Sequence, residues 1–196
     1  MNAILMIIAA FVATYVVAAI PFALIVSRSQ GVDLRKIGSG NIGATNVYRS
    51  MGFKWAVIVF LLDAIKGFIP TIVIINVYNH MPILHVLIAA MAIFAHSYTV
   101  FANFKGGKGA ATGLGVLLAL SPIIFIGIAV LAIVIILKTR YVSVGTMTCC
   151  VLIPISFFLL SYPWVYTFFV SFICLFVIYR HKPNIKRLIA GKENKI

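Results

Sequence analysis

The sequence predicts an all-α protein, a polytopic membrane bundle of about seven transmembrane helices with the N-terminus outside and the C-terminus cytoplasmic. Of its 196 residues, 63% are hydrophobic and only 10% charged, whereas soluble domains carry about a quarter charged residues. Apolar runs at 3–26 and 55–77 exceed the roughly 20 residues a helix needs to cross the hydrocarbon layer. The positions of Lys and Arg set the threading, because these cations collect at the cytoplasmic ends of spans. One integral membrane domain is expected to occupy the whole chain, 1–196.

The run at 3–26 has no Lys or Arg ahead of it and is longer than the apolar core of a cleavable secretion signal, so it reads as a retained first helix. Arg28, Arg35, Lys36, Arg49 and Lys54 fill the connection that follows, while the next one, from Tyr78 to Pro82, has no Lys or Arg. The first connection is therefore cytoplasmic. A third span over about 83–102 returns the chain to Lys105 and Lys108 on the same side. If 110–137 were a single span, Lys138, Arg140 and the basic tail would all lie outside. A break at Ser121-Pro122 instead gives two short helices that turn back inside the membrane, where Pro ends the helical ladder and protein covers the exposed backbone. Spans over about 142–160 and 164–179 then bring Arg180, Lys182, Lys186, Arg187, Lys192 and Lys195 to the cytoplasm, leaving every cation except Lys66 there.

Sixteen Lys and Arg residues stand against only Asp33, Asp63 and Glu193. Because most cations sit beside spans, orientation in the bilayer and anionic substrates explain them better than nucleic acid does. Cys149, Cys150 and Cys174 lie inside apolar runs without the paired spacing of a metal site or disulfide framework, and read as buried structural thiols. No internal repeat or soluble second domain is visible, so function must lie in the polar connections.

The first of these reads KIGSGNIGATNVYRS, from Lys36 to Ser50. Gly38, Gly40 and Gly43 satisfy G-x-G-x-x-G, but that pattern means dinucleotide binding only after a strand in a βαβ unit, and here it follows a membrane helix. The physical reading that survives is an anion cradle. Small residues leave backbone N–H groups open to phosphate oxygens, Ser39, Asn41, Thr45 and Asn46 add donors, and Arg49 can hold a phosphate bidentately. An ordinary turn with helix-capping Ser, Asn and Thr fits the same residues. The second connection, FKGGKGAATG from Phe104 to Gly113, carries Lys105, Gly106, Gly107, Lys108, Gly109 and Thr112 and opens a short helix whose N-terminal dipole favours negative charge. It lacks the spacing of the nucleotide P-loop. Two anion-ready loops at one membrane boundary favour function over simple anchoring.

In the tail RHKPNIKRLIAGKEN, His181 and Asn184 can contact substrate, or the segment can be a basic membrane-surface tail. Asp63 and Lys66 are neighbours on one helical face and are expected to pair and support the site, since charges at that depth are costly alone. His96 reads as a proton carrier or a hydrogen-bonded interior histidine. Ser143 and Gly145, in YVSVG, can complete an anion cradle or serve capping and helix packing.

Taken together, GSGNIGATN with Arg49, FKGGKGAAT, and Arg180-His181 with Asn184 and Glu193 resemble the three motifs of the bacterial acyl-phosphate:glycerol-3-phosphate acyltransferases. The resemblance extends over essentially the whole chain. It implies transfer of a fatty acyl group from acyl phosphate to the 1-hydroxyl of sn-glycerol 3-phosphate, giving lysophosphatidic acid and phosphate. It also implies catalytic roles for Ser39, Arg49, His181 and Asn184, glycerol-phosphate contacts from the glycines at 106–109, and a structural Glu193, while the residues themselves lead us to expect a catalytic cation at Lys108 and a phosphate contact at Ser143. No coenzyme or metal is demanded, because the leaving group is already activated. A soluble acyl-phosphate-forming enzyme is the implied functional partner, and the chain is expected to act as a monomer. The rival reading is a transporter of an organic phosphate or other anion, which also uses broken helices with positive dipole ends.

Overall fold

The computed structural model describes residues 3–196, and every regular element among them is helical. The chain forms two compact units, one ending at Leu120 and the other spanning Ser121–Ile196.

The first unit holds α1 (Ala3–Ala19), α2 (Phe22–Ser29), α3 (Ala44–Met51), α4 (Phe53–Val77), α5 (Pro82–Ser97), a 3-10 turn at Val100–Ala102, and α6 (Ala110–Leu120). The expected continuous first helix is in fact two, because Pro21 has no N–H to donate and disfavours helical backbone at Ile20. The carbonyls exposed by this break find other donors. The Thr99 hydroxyl donates to Ala19 O, and the Lys66 ammonium donates to Ile20 O at 2.8 Å.

Small residues set the helix crossings. Ala18 and Ala19 on α1 pack with Ala92 and Ala95 on α5. A Cβ on Gly115 of α6 would overlap the Ala64 carbonyl of α4, and one on Gly67 of α4 would overlap the Thr112 carbonyl of α6. Between helices in lipid, close backbone approach supplies van der Waals packing that the hydrophobic effect cannot. The expected Asp63–Lys66 pair is present on α4 at 2.8 Å, with both side chains almost wholly buried.

The second unit holds α7 (Pro122–Thr139), α8 (Val142–Leu159), α9 (Trp164–Arg180) and α10 (Lys182–Ile189). Segment 110–137 is interrupted at Ser121-Pro122 as the charge argument required. Ser121 is extended and its hydroxyl accepts from Ile124 N at 3.3 Å, while Pro122 opens α7 where no N–H is needed. The expectation of two short helices is corrected for α7, which at 18 residues is long and apolar enough to cross a membrane. Free thiols of Cys149, Cys150 and Cys174 are buried on α8 and α9.

Five stretches among the described residues have the length and composition of membrane spans: Ala3–Ser29, α4, Pro82–Ala102, α7 and α8. A sixth is α9 with α10, if that pair, bent by 54°, is one span, and α6 is a shorter apolar helix. Long apolar helices of this number make the protein an all-helical, multi-pass membrane protein.

Candidate active site

The loop between α2 and α3 is anchored by Leu34, Ile42 and Val47, which are buried with Ala23 and Leu24 of α2 and Ala56 and Val59 of α4. Asn46, 1% exposed, organises it. Its Nδ2 donates to Leu34 O and Ile37 O, each at 3.1 Å, and its Oδ1 accepts from Ser39 N at 3.0 Å. Gly38 has φ 61, and a Cβ there would overlap Asn46 Oδ1, so this turn needs glycine. The Gly40 amide donates to Ile37 O at 3.1 Å.

These bonds bear on two of the expected phosphate contacts. Asn46 was expected to contact phosphate, but both its donors are committed to loop carbonyls, and the Gly40 amide is bonded inside the loop rather than open. Asn46 thus fixes the Ser39 backbone, and the Ser39 hydroxyl accepts from the Asn41 amide at 3.5 Å. Thr45 and Arg49 stand one helical turn apart on α3 and share a face. Nearby, Arg35 grips Asp33 through two guanidinium bonds of 2.9 Å, which holds that carboxyl down at about 2.

The second loop leaves α5 through left-handed Asn103 (φ 51) and Phe104 (φ 59), uncommon for side chains of that size. Lys105 follows, exposed. Gly106 then donates its amide to Ser97 O at 3.0 Å, and a Cβ on it would overlap the His96 carbonyl. Gly106 is therefore docked closely on the backbone at the end of α5. A Cβ on Gly107 would overlap His96 Nε2. Half-buried Lys108 comes next, then Gly109 with φ 85, and α6 begins. In its first turn Thr112 is wholly buried, and its hydroxyl has no hydrogen-bond partner among the described residues.

In the second unit Glu193 gathers three donors: Asn184 Nδ2 at 2.7 Å, Arg187 Nε at 2.7 Å and Ser143 Oγ at 3.2 Å. Burial works against its charge, but the Arg187 guanidinium and the Asn184 and Ser143 hydrogen bonds outweigh it and hold the carboxyl below the ordinary glutamate value. Ser143, expected at a phosphate, thus has its hydroxyl hydrogen on Glu193. His181, buried at the α9–α10 bend, donates Nδ1–H to Val177 O at 2.7 Å, which in the neutral ring puts the lone pair on Nε2. Arg140 and Ile196 exchange backbone and side-chain bonds at 2.7 to 3.0 Å, tying the tail to the α7–α8 connection.

The structure thus groups Ser39, Asn41, Thr45 and Arg49 on one loop and its helix, Lys105 to Thr112 on another, and His181, Asn184, Ser143 and Glu193 in the second unit. Sequence reasoning left His96 between two roles and missed its seat against Gly107. Among the described residues, no three His, Cys, Asp or Glu side chains group as around a metal ion.

Fold and composition together define an integral membrane protein with two glycine-rich polar connections. A family model described as glycerol-3-phosphate acyltransferase matches residues 8–191. A glycerol-3-phosphate acyltransferase from Aquifex aeolicus is 39% identical over 92% of this chain and 94% of its own length. One from Fusobacterium nucleatum is 43% identical over 94% of this chain and 95% of its own. A crystal structure of PlsY, an integral membrane glycerol 3-phosphate acyltransferase, in its glycerol 3-phosphate form is 37% identical, with a TM-score of 0.93 over 97% of this chain and 95% of that one. A second, in the lysophosphatidic acid form, has a TM-score of 0.91. The chain belongs to the glycerol-3-phosphate acyltransferase family.

Proposed function

We propose that the protein transfers a fatty acyl group from acyl phosphate to the 1-hydroxyl of sn-glycerol 3-phosphate, forming lysophosphatidic acid and inorganic phosphate at the start of bacterial phospholipid synthesis. The observation that carries this reading is the 0.93 TM-score to a relative captured with glycerol 3-phosphate, over nearly the full length of both chains. In the reaction the hydroxyl oxygen attacks the acyl carbonyl carbon and the bond from that carbon to the phosphate oxygen breaks. The hydroxyl proton passes to a substrate phosphate oxygen. With an activated donor, the protein must mainly neutralise charge, align the hydroxyl and stabilise the developing oxyanion.

The residues we assign to this task are Ser39, Arg49 and Lys108 in the first unit, and His181 and Asn184 in the second. Arg49 suits a phosphate because its guanidinium offers a bidentate fork, and Lys108 supplies a mobile full charge beside a helix N-terminus. Asn41, Thr45, Lys105 and Thr112 add phosphate contacts. Gly107 and Gly109 let the backbone come close, and Asp63, Lys66 and Glu193 support the loops. The chain is proposed to lie in the bacterial cytoplasmic membrane, N-terminus outside and C-terminus inside, with its chemistry on the cytoplasmic face. It would draw its donor, as a monomer, from a soluble acyl-phosphate-forming enzyme.

The test is purified protein in detergent given palmitoyl phosphate and labelled glycerol 3-phosphate, beside palmitoyl-CoA and without added metal. Lysophosphatidic acid from acyl phosphate alone is expected. No product with any donor would refute the reading and favour the transporter, and product from acyl-CoA only would reject the donor.

A further inference from the structure

A chain of buried polar contacts runs from the break in the first membrane helix to the glycine–lysine loop. The Lys66 ammonium donates to Ile20 O at 2.8 Å and pairs with Asp63 Oδ1 at 2.8 Å. The same carboxylate oxygen lies 3.6 Å from His96 Nδ1. His96 is 7% exposed, and its opposite ring nitrogen, Nε2, occupies the space that a Cβ of Gly107 would need. Beside it, Gly106 docks backbone to backbone on His96 and Ser97. Of the two glycines before Lys108, Gly106 is therefore fitted to the α5 backbone and Gly107 to the histidine ring.

A carboxylate beside one imidazole nitrogen fixes the orientation of the ring and favours a proton on that side. A charged or polar group this deep in a membrane protein is costly and calls for a function. Here the oriented ring is the floor of a loop whose next residue carries the mobile cation. We propose that His96, beside the Asp63 carboxylate, is a positioning residue: its ring seats Gly107 and so fixes where Lys108 meets a substrate phosphate. This rests on the reading of Lys108 as a phosphate-binding catalytic residue. His96 transfers no proton in this role.

The experiment is a two-residue cycle in purified protein, assayed with palmitoyl phosphate and glycerol 3-phosphate beside thermal unfolding. Gly107→Ala drives a methyl group into the ring and should cost about 100-fold in kcat/KM, as misplacements near 1 Å do. His96→Ala removes the floor and should cost about tenfold or more, with His96→Gln, which keeps length and a polar atom, recovering part of the loss. In the double variant the new methyl finds the vacated space, so it should be more active than Gly107→Ala alone, a non-additivity of contacting residues. A merely structural histidine predicts instead that the losses of activity follow losses of the thermal midpoint, with a fully folded variant fully active. The proposal alone is overturned if the wild type is active while folded Gly107→Ala stays within about threefold of it. It is equally overturned if the double variant is no better than the glycine variant. An inactive wild type overturns the acyltransferase reading, and with it the proposal.

Discussion

Removing the carboxylate of Glu193 should release the C-terminal segment, and the structure fixes the scale of the effect. The group accepts from buried Asn184 and Ser143 and from Arg187, whose side chain is 29% exposed. Hydrogen bonds to a charged partner contribute about 1.5–3 kcal/mol each when buried, and a partly exposed ion pair adds at most about 1. Glu193→Ala should therefore cost at least about 3 kcal/mol, on the order of a hundredfold or more in the local opening equilibrium. Because the segment can move away and let water reach Asn184, the loss should appear as local opening and not as global unfolding. The assay is amide hydrogen exchange across residues 181–196 in detergent, with product formation measured alongside. The pH dependence has a definite sign. Since the folded carboxyl ionises below its ordinary value of 4.5, its contribution is present above that pH and is lost as pH falls below it. Glu193→Gln should abolish that acid-side loss. Exchange in Glu193→Ala within about threefold of the wild type would refute the reasoning.

Lys108→Ala should lower kcat/KM by about 10²–10³-fold while leaving the thermal midpoint unchanged, and near-normal activity in a folded variant would count against its role. Either Asp63→Asn or Lys66→Met leaves a buried charge without its partner and should destabilise by about 3–5 kcal/mol, with the double variant recovering most of it in thermal unfolding. Gly115→Leu forces a side chain into the Ala64 carbonyl and should cost at least about 1–3 kcal/mol by parting α4 from α6. Gly127→Ala, where a Cβ meets nothing within 4 Å on α7, is the control and should be neutral or stabilising by up to about 1 kcal/mol.

The membrane class was legible because lipid demands it of composition alone, and the break at Ser121-Pro122 followed from charges that had to face one way. The break at Pro21 was not, and the reason is instructive. Pro70 and Pro154 lie inside α4 and α8 without ending them. What distinguishes Pro21 is that the neighbouring carbonyls find Lys66 and Thr99, 46 and 80 residues away in sequence, to satisfy them. Composition likewise located the polar loops correctly but could not say which donors were already taken. Asn46 finds its acceptors up to 12 residues back, and Ser143 its carboxylate 50 residues ahead. The Asp63–Lys66 pair was readable because both residues sit on one helix, three apart.

The same bookkeeping bears on where the hydroxyl proton goes. The sequence holds three acids, and each lies within 2.9 Å of a cation: Asp33 at Arg35, Asp63 at Lys66 and Glu193 at Arg187. Cationic partners make Asp33, at about 2, and Glu193, below its ordinary value, weak bases. A phosphate oxygen, whose second ionisation lies near pH 6, is the stronger acceptor and is delivered by the substrates themselves. The proposed route then predicts that kcat/KM falls as pH drops through about 6, because the phosphate arrives already protonated. Replacing the phosphate of the acceptor by a phosphonate, whose second pKa is higher, should move the acid limb upward. Asp33→Asn should leave the limb in place, and so should Glu193→Gln. His181, which donates Nδ1–H to Val177 O, is the other candidate among the residues assigned to the reaction. An acid limb that disappears in His181→Asn and ignores the substrate's phosphate would give the proton to that imidazole and refute the substrate-assisted route.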